Sequence, residues 1–307
     1  MELLYWLQLH RTPLGEHAMN AITHLGSDTA VILALCALLW LCGRRIALRV
    51  AITFGCCALT NQLIKVLFAV PRPWLRDSRL VPVESAVADA TGYSFPSGHT
   101  QTATSLYASI ALTFRRHWLS ACCAACILGV MCSRLYLGVH TPLDVVVGCA
   151  LSLGITWALD RLLSRVEAHP HYYRNVFACG ALAAMGMAAF TLARVALGAP
   201  LAMTGDILPA AGGMLGFVYG IYLDSRRPEA LPTPGWGLAL SCAGLAIVCG
   251  LRLALGCALT PLLGRYWGGF VRYALIALYV ARVHPAAVRA VLRRFPATAR
   301  GRHLDAN

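Results

Sequence analysis

Nine stretches of the chain are almost free of charge, near 27–43, 46–69, 98–114, 118–137, 142–163, 175–197, 208–223, 236–258 and 266–283. A bilayer hydrocarbon core about 30 Å thick is crossed by roughly 20 apolar residues in a helix. Helices suit that solvent because each backbone N–H and C=O finds its partner within the segment. Charged residues make up 13% of the 307, about half of the roughly 25% usual in soluble domains. These features predict an all-α polytopic transmembrane helical bundle of about nine spans. The seventh run is short and rich in glycine, so the count rests least securely on it.

The net charge of +13 raises nucleic acid as a partner, but its placement excludes that class. Basic residues cluster between runs: Arg44, Arg45 and Arg49; Arg115 and Arg116; Arg161, Arg165 and Arg174; Arg226 and Arg227; then Arg282, Arg289, Arg293, Arg294, Arg300 and Arg302. They occupy every second connection, which is the positive-inside pattern. The N-terminus is expected outside, and the Arg-rich tail in the cytoplasm against anionic lipid. Residues 1–20 read as an amphipathic helix lying on the outer interface. They lack the basic start and cleavage site of a signal peptide. No N-x-S/T sequon occurs, which agrees with a bacterial origin. The 13 cysteines all fall in apolar runs, so a disulfide framework is not expected, and Cys123-x-x-Cys126 reads as a pair of small helix residues rather than a redox or metal pair.

One connection is long. Residues 71–96 join the second and third runs on the expected outer side, and long loops between packed elements are commonly functional. Trp74, Tyr93, Phe95 and the helix-compatible 84–90 stretch predict an ordered loop. Arg76, Asp77, Arg79 and Glu84 within it read as solvated surface. Three outer segments carry chemistry. The first runs from Lys65, the only lysine in the sequence, to Arg72-Pro73. Seven residues apart, Lys65 and Arg72 would share a helix face at about 10 Å. An ammonium is a compact point charge where a guanidinium is a wide fork, so a lone lysine in a chain of arginines suggests a narrow slot. The second segment is Pro96-Ser97-Gly98-His99. Pro and Ser suit a helix start, and Gly leaves the N–H groups approachable to an anion. The third is Ser133-Arg134 followed by His140-Thr-Pro-Leu-Asp144. At i and i+4, Asp144 can accept from one His140 ring nitrogen, fixing the tautomer and freeing the other nitrogen as a nucleophile.

Together these segments resemble the type 2 phosphatidic acid phosphatase superfamily, with its pattern K-x6-R-P, P-S-G-H and S-R-x5-H-x3-D matched at every fixed position. The resemblance implies a catalytic membrane core over 27–163. It implies His140 as the nucleophile, Asp144 as its orienting carboxylate, and His99 as the acid and then the base. It further implies Lys65, Arg72, Arg134, Ser97 and the Gly98 N–H as phosphate holders, with no metal and no cofactor. A nine-span, N-outside layout is similar to the glucose-6-phosphatase branch, which lacks the carboxylate present here at Asp144.

The expected organisation is an interfacial segment over 1–26, the catalytic core over 27–163, additional helices over 164–283 and a cytoplasmic tail over 284–307. The polar stretches 164–173 and 224–235 read as cytoplasmic turns. The expected function is hydrolysis of a lipid phosphate or diphosphate at the outer face of a bacterial inner membrane, with membrane lipids as the partners and no obligate protein partner. A sugar-phosphate phosphatase and a lipid phosphotransferase are alternatives with the same site. A transporter or channel is the alternative of another class, because intramembrane Lys65, Arg134, Arg194 and Arg252 could line a path. No inverted repeat supports it. Arg194, Arg252 and Arg272 read as snorkelling or helix-pairing residues, with a headgroup pocket as the second option for Arg194 and Arg252. The remaining histidines (His10, His17, His24, His117, His169 and His171) read as packed or interfacial. Gly212, Gly213 and Gly216 are expected to permit close helix packing.

Overall fold

The computed structural model describes residues 1–226 and 236–294, which contain helices and no strands. Residues 227–235 of the expected turn and residues 295–307 of the expected tail lie outside the described residues. In chain order the helices are α1 (Glu2–Leu9), α2 (Pro13–Thr23), α3 (Asp28–Ala37), α4 (Arg44–Phe68), α5 (Pro73–Arg76), α6 (Glu84–Val87), α7 (Gly98–Phe114), α8 (His117–Tyr136), α9 (Pro142–Val166), α10 (Tyr172–Ala196), α11 (Leu201–Thr204), α12 (Ile207–Ser225), α13 (Trp236–Leu278) and α14 (His284–Arg294). Five-residue π turns extend α3 to Cys42 and join α13 to α14.

Six of these stretches are long and apolar enough to cross a membrane, or seven if α2 and α3, bent by 52° at their junction, count as one span. Nine crossings are therefore not confirmed. Helix α7 has 17 residues, about 25 Å at 1.5 Å per residue, which is short for the membrane core. The runs at 236–258 and 266–283 fall within one helical stretch, broken only at Gly264 with φ 73°. That left-handed conformation, three residues after Pro261, turns the chain without a connecting loop.

Packing divides the bundle. Helices α4, α7, α8 and α9 form one group, α10, α12 and α13 form another, and α4 touches α12. Between lipid-exposed helices the hydrophobic effect offers little, so close van der Waals contact has to hold the bundle. Helix α12 meets that need with glycine. A Cβ on Gly212 or Gly216 would overlap the carbonyl oxygen of Phe270 or Ala274 on α13, whereas one on Gly213 would make an ordinary 3.7 Å contact with Tyr273. Trp40, Leu48, Leu106, Phe217, Ile221 and Val280 pack where the two groups meet. Large apolar side chains such as Leu67, Leu162, Leu182 and Leu262 stay exposed on the outside, as a lipid-facing surface requires.

The end of the bundle where α4 begins is cross-linked by charge. Arg49 bonds Asp160 at 2.6 Å and Glu167 at 2.9 Å. Asp224 at the end of α12 takes Arg44 at 3.6 Å and is also paired with Arg289 of α14. This corrects the expected tail at its start. Residues 284–294 are a helix, and Arg289 is buried in an ion pair rather than offered to lipid headgroups.

The N-terminal segment also departs from expectation. Residues 1–20 form parts of two helices, not one, and they pack onto the protein. Leu4 is fully buried, the Arg11 Nε donates to the Tyr136 carbonyl at 2.9 Å, and the Thr12 N–H donates to the Tyr136 hydroxyl at 3.0 Å. Helix α2 starts where Thr12 caps the Gly15 N–H and Pro13 takes the first helical position.

Candidate active site

Helix α4 ends at Phe68, and Ala69 caps it in the left-handed conformation, accepting no further turn; its N–H bonds the Lys65 carbonyl. Lys65 and Arg72 therefore do not share a helix face. Lys65 projects from the last turn of α4, while Arg72 stands in the following loop, yet both reach the wall of one cavity of about 470 Å³. The long loop 71–96 is ordered around Arg72. Its Nε donates to the Gly92 carbonyl at 3.2 Å, its Nη2 to the Thr91 carbonyl, and its Nη1 to both the Val139 carbonyl at 3.2 Å and His140 Nε2 at 2.9 Å. The Glu84–Val87 helix confirms the helical piece expected in the loop. Among the residues read as surface, Asp77 and Arg79 pair with each other, and Arg79 also reaches Glu2. That hydrogen bonding holds the Asp77 carboxyl down to about 2.

His140 lies in the short turn between α8 and α9, with 1% of its surface exposed. An arginine N–H can only donate, so the 2.9 Å contact makes Nε2 an acceptor. The lone pair is on Nε2 and the proton on Nδ1. Burial pushes the imidazole pKa well below its ordinary value, against the pull of Asp144, so the ring is neutral. Nδ1 lies 3.5 Å from Asp144 Oδ2, long for a hydrogen bond. That oxygen already accepts the Ser94 hydroxyl and the Thr141 N–H at 2.7 Å each. Thr141 and Asp144 form a reciprocal capping box with Pro142 at the first helical position. The local sequence thus fixes the carboxylate beside the imidazole by making it part of the helix start.

Helix α7 starts in the expected way. The Ser97 hydroxyl accepts from the Thr100 N–H at 3.4 Å and the Thr100 hydroxyl at 3.0 Å. Gly98 and His99 line the cavity, and a Cβ on Gly98 would come within 3.7 Å of Lys65 Nζ. The Nε2 of His99 is buried with no hydrogen-bond partner. The structure therefore brings Lys65, Arg72, Gly98, His99 and His140 to one wall. Ser97 and Asp144 stand behind it as helix caps. Arg134 is fully buried and off the wall. Its Nη1 donates to the Thr23 hydroxyl at 2.9 Å, while Nε and Nη2 have no partner.

Sequence reasoning missed several residues. Ser94, buried against Asp144, lay in a loop read only for its aromatics. Thr23 and Gly26 belong to a segment expected at the interface. Gly26 sits so close under His99 that a Cβ there would approach the His99 carbonyl oxygen to 2.6 Å. From beyond residue 167 the cavity receives Asp206, Arg252, Arg265, Tyr266, Arg272 and Tyr273. Of these only Arg252 and Arg272 had a signal, as charges inside apolar runs. Arg194 does not reach the cavity wall. All 13 cysteines are free, including Cys123 and Cys126. Among the described residues, no three His, Cys, Asp or Glu side chains are grouped to hold a metal ion.

A smaller apolar slot of about 110 Å³, lined by Val31, Ile32, Leu35, Met214, Phe217 and Ile276 among others, adjoins the polar cavity. The two share Asp28, Phe54, Pro209, Ala210 and Tyr273.

Comparison with known proteins finds similar chains over the same segment. The family model described as PAP2 superfamily matches residues 46–167. The chain is 28% identical over 164 residues to phosphatidylglycerophosphatase B of Bacillus subtilis, covering 47% of this chain and 73% of that protein. It is 30% identical over 115 residues to an undecaprenyl-diphosphatase of Sulfolobus acidocaldarius, covering 37% and 53%. It is 43% identical over 79 residues to phosphatidylglycerophosphatase B of Escherichia coli, covering 24% and 31%. A solved structure, a transmembrane PAP2 type phosphatidylglycerolphosphate phosphatase from Bacillus subtilis, aligns with a TM-score of 0.44 at 22% identity, covering 55% of this chain and 86% of that one. Lys65, Arg72, His99, His140 and Asp144 all fall inside the matched segment, and over that segment this integral membrane chain is similar to the PAP2 superfamily.

Proposed function

We propose that the chain hydrolyses a lipid phosphate or diphosphate through a phosphohistidine on His140. The observation that carries this is the pairing at the cavity wall: His140 Nε2, its lone pair held toward Arg72 at 2.9 Å, shares the cavity with His99 and Lys65. In the first step Nε2 attacks phosphorus, a P–N bond forms, and the P–O bond to the lipid breaks. Protonated His99 gives its proton to the leaving oxygen. In the second step neutral His99 takes a proton from water, the water oxygen attacks phosphorus, the P–N bond breaks, and phosphate leaves with His140 neutral again. Asp144 keeps the proton on Nδ1 and faces the cation that forms on the ring. Lys65, Arg72 and the Gly98 N–H meet the charge spread over the equatorial oxygens. Arg134 and Ser97 belong to this set as supports from behind the wall. No metal ion has a role in these steps.

A lipid substrate is favoured over a sugar phosphate by the apolar slot that adjoins the polar cavity, since the first few carbons of an acyl or isoprenoid chain can lie there while the headgroup stays at the cations. Catalysis is assigned to 27–163, and the helices over 164–283 complete the cavity. The cavity is assigned to the exterior or periplasmic face of a bacterial inner membrane. The Arg clusters at the opposite end support that orientation by the positive-inside pattern. The N-terminal helices lie at the cavity end against Tyr136, and α14 lies at the Arg-rich end against Asp224, in keeping with N-outside and C-inside.

The test is phosphate release by purified protein in detergent from phosphatidate and from undecaprenyl diphosphate, with EDTA present throughout. Release that EDTA leaves intact and vanadate inhibits is expected. Release lost in EDTA and restored by magnesium or zinc would overturn the mechanism, and no release from either lipid would overturn the function.

A further inference from the structure

Three arginines on the cavity wall come from α13, beyond the matched segment: Arg252, Arg265 and Arg272. The hydrolytic steps at His140 and His99 do not use them. Arginine within a membrane-spanning segment is costly and ordinarily pairs with a carboxylate or serves a ligand. At the far end of the bundle Arg44, Arg49 and Arg289 found carboxylates. On the cavity wall Arg252 donates only to the Thr29 hydroxyl, at 2.6 Å. Arg272 has its Nε buried with no hydrogen-bond partner. Arg265 lies 5.9 Å from the Tyr266 ring centre, and Arg272 lies 4.9 Å from that of Tyr273. Among the described residues none of the three arginines is in an ion pair, although Asp28, Asp89 and Asp206 face the same cavity. Gly256 lies beside Arg272: a Cβ there would come within 2.8 Å of its Nη1, which a small shift of the guanidinium would relieve.

We propose that Arg252, Arg265 and Arg272 form a second anion subsite, which holds a further phosphate of the substrate headgroup while Lys65 and Arg72 hold the phosphate being cleaved. The substrate class is then a lipid whose headgroup carries two phosphates rather than one. This deepens the phosphatase reading and rests on it. Guanidinium forks match phosphate oxygens two at a time, which lysine does not. A cavity of about 470 Å³ is within the roughly 300–1,000 Å³ of ligand pockets. The acids Asp28, Asp89 and Asp206 line the same cavity without pairing with these arginines.

The experiment compares kcat/KM for phosphatidylglycerophosphate, with two phosphates, and phosphatidate, with one, in the same detergent micelles. The wild type is expected to prefer the first by about a hundredfold, and Arg252→Gln, Arg265→Gln and Arg272→Gln each to cut that preference about tenfold through KM, the effect of one charge-assisted hydrogen bond. Turnover of phosphatidate should stay near wild type. A wild type with no preference, or variants that lose both activities alike, would overturn the subsite. If a Gln variant does not fold, Arg→Lys at the same position carries the same comparison with the same two outcomes. Should neither lipid be hydrolysed, the function above fails, and the subsite is judged by thermal stabilisation with inorganic pyrophosphate against orthophosphate. An excess for pyrophosphate that vanishes in Arg272→Gln supports it; an excess that is absent, or that survives the substitution, overturns it.

Discussion

Where α4 begins, Arg49 meets Asp160 and Glu167 within 3 Å, and Asp224 takes both Arg44 and Arg289. Where α4 ends, Lys65, Arg72, Arg252, Arg265 and Arg272 surround a cavity, and among the described residues none of them is in an ion pair. Some sixteen residues of one helix separate Arg49 from Lys65, about 24 Å. The same residue types thus serve two ends. A charge that has its counter-charge within the chain holds helices together. A charge left without one is available to something that is not part of the chain. Buried pairs contribute modestly as intact pairs but are costly to break, whereas an open site gives up stability for binding.

Breaking the open end at its proposed nucleophile should have the largest effect. His140→Ala is expected to lower kcat by about 10⁴-fold or more, as removal of a nucleophile does elsewhere, with the thermal midpoint in detergent near wild type. Phosphate release within tenfold of wild type would assign the attack to another group.

Breaking the paired end should show the opposite signature. Asp224→Ala leaves Arg289 buried without its counter-charge, while Arg44 keeps its bond to the carbonyl of residue 224, and is expected to cost about 3 kcal/mol of stability. Its kcat per folded molecule should be unchanged. Thermal unfolding and turnover on the same preparation separate the two, and a catalytic defect without destabilisation would erase the contrast between the ends.

Lys65→Arg sharpens it further. The charge stays but the compact ammonium becomes a fork, and misplacement by an ångström is expected to cost around a hundredfold in kcat/KM. A variant as efficient as wild type would show that the slot beside Gly98 is not narrow. The smallest effect is expected at Ser94. Ser94→Ala removes one of the two 2.7 Å bonds that hold Asp144 Oδ2, and should cost about tenfold in kcat. A steeper loss for Asp144→Ala than for Ser94→Ala would agree with positioning through the carboxylate, and equal rates for Ser94→Ala and wild type would remove Ser94 from the site.

The wall formed by α4, α7 and the α8–α9 turn was legible in the sequence because its residues lie at fixed short spacings next to helix starts that Pro, Ser and Thr announce. Ser97, Thr141 and Pro142 cap and open helices as their types require. The facing wall was not legible. Arg265 of α13 and Asp206, just before α12, line one cavity where Gly212 and Gly216 let the two helices close on each other, a relation with no period or motif. The N-terminal helices were misread for a similar reason. Alternation of Leu, Tyr and Trp with charge marks a two-faced helix but not what covers either face, and the partner of Thr12 is 124 residues away. The count of nine spans is not confirmed where apolar length alone was used. A bent pair, a 17-residue helix and a stretch broken only at Gly264 all look like ordinary runs to a hydropathy window.

The guanidinium of Arg72 gives the resting site a further property. Of its five N–H groups, one each goes to the Gly92 and Thr91 carbonyls, and Nη1 serves both Val139 and His140. The fifth, on Nη2, is free. On the proposed mechanism an arriving phosphate can take that group at once, and by drawing Nη1 away from His140 it would release the lone pair of Nε2 as a phosphorus atom comes beside it. On that reading the proposed nucleophile stays latched until its target unlatches it, and once inorganic phosphate departs the imidazole can reclaim the Nη1 N–H and reset the latch.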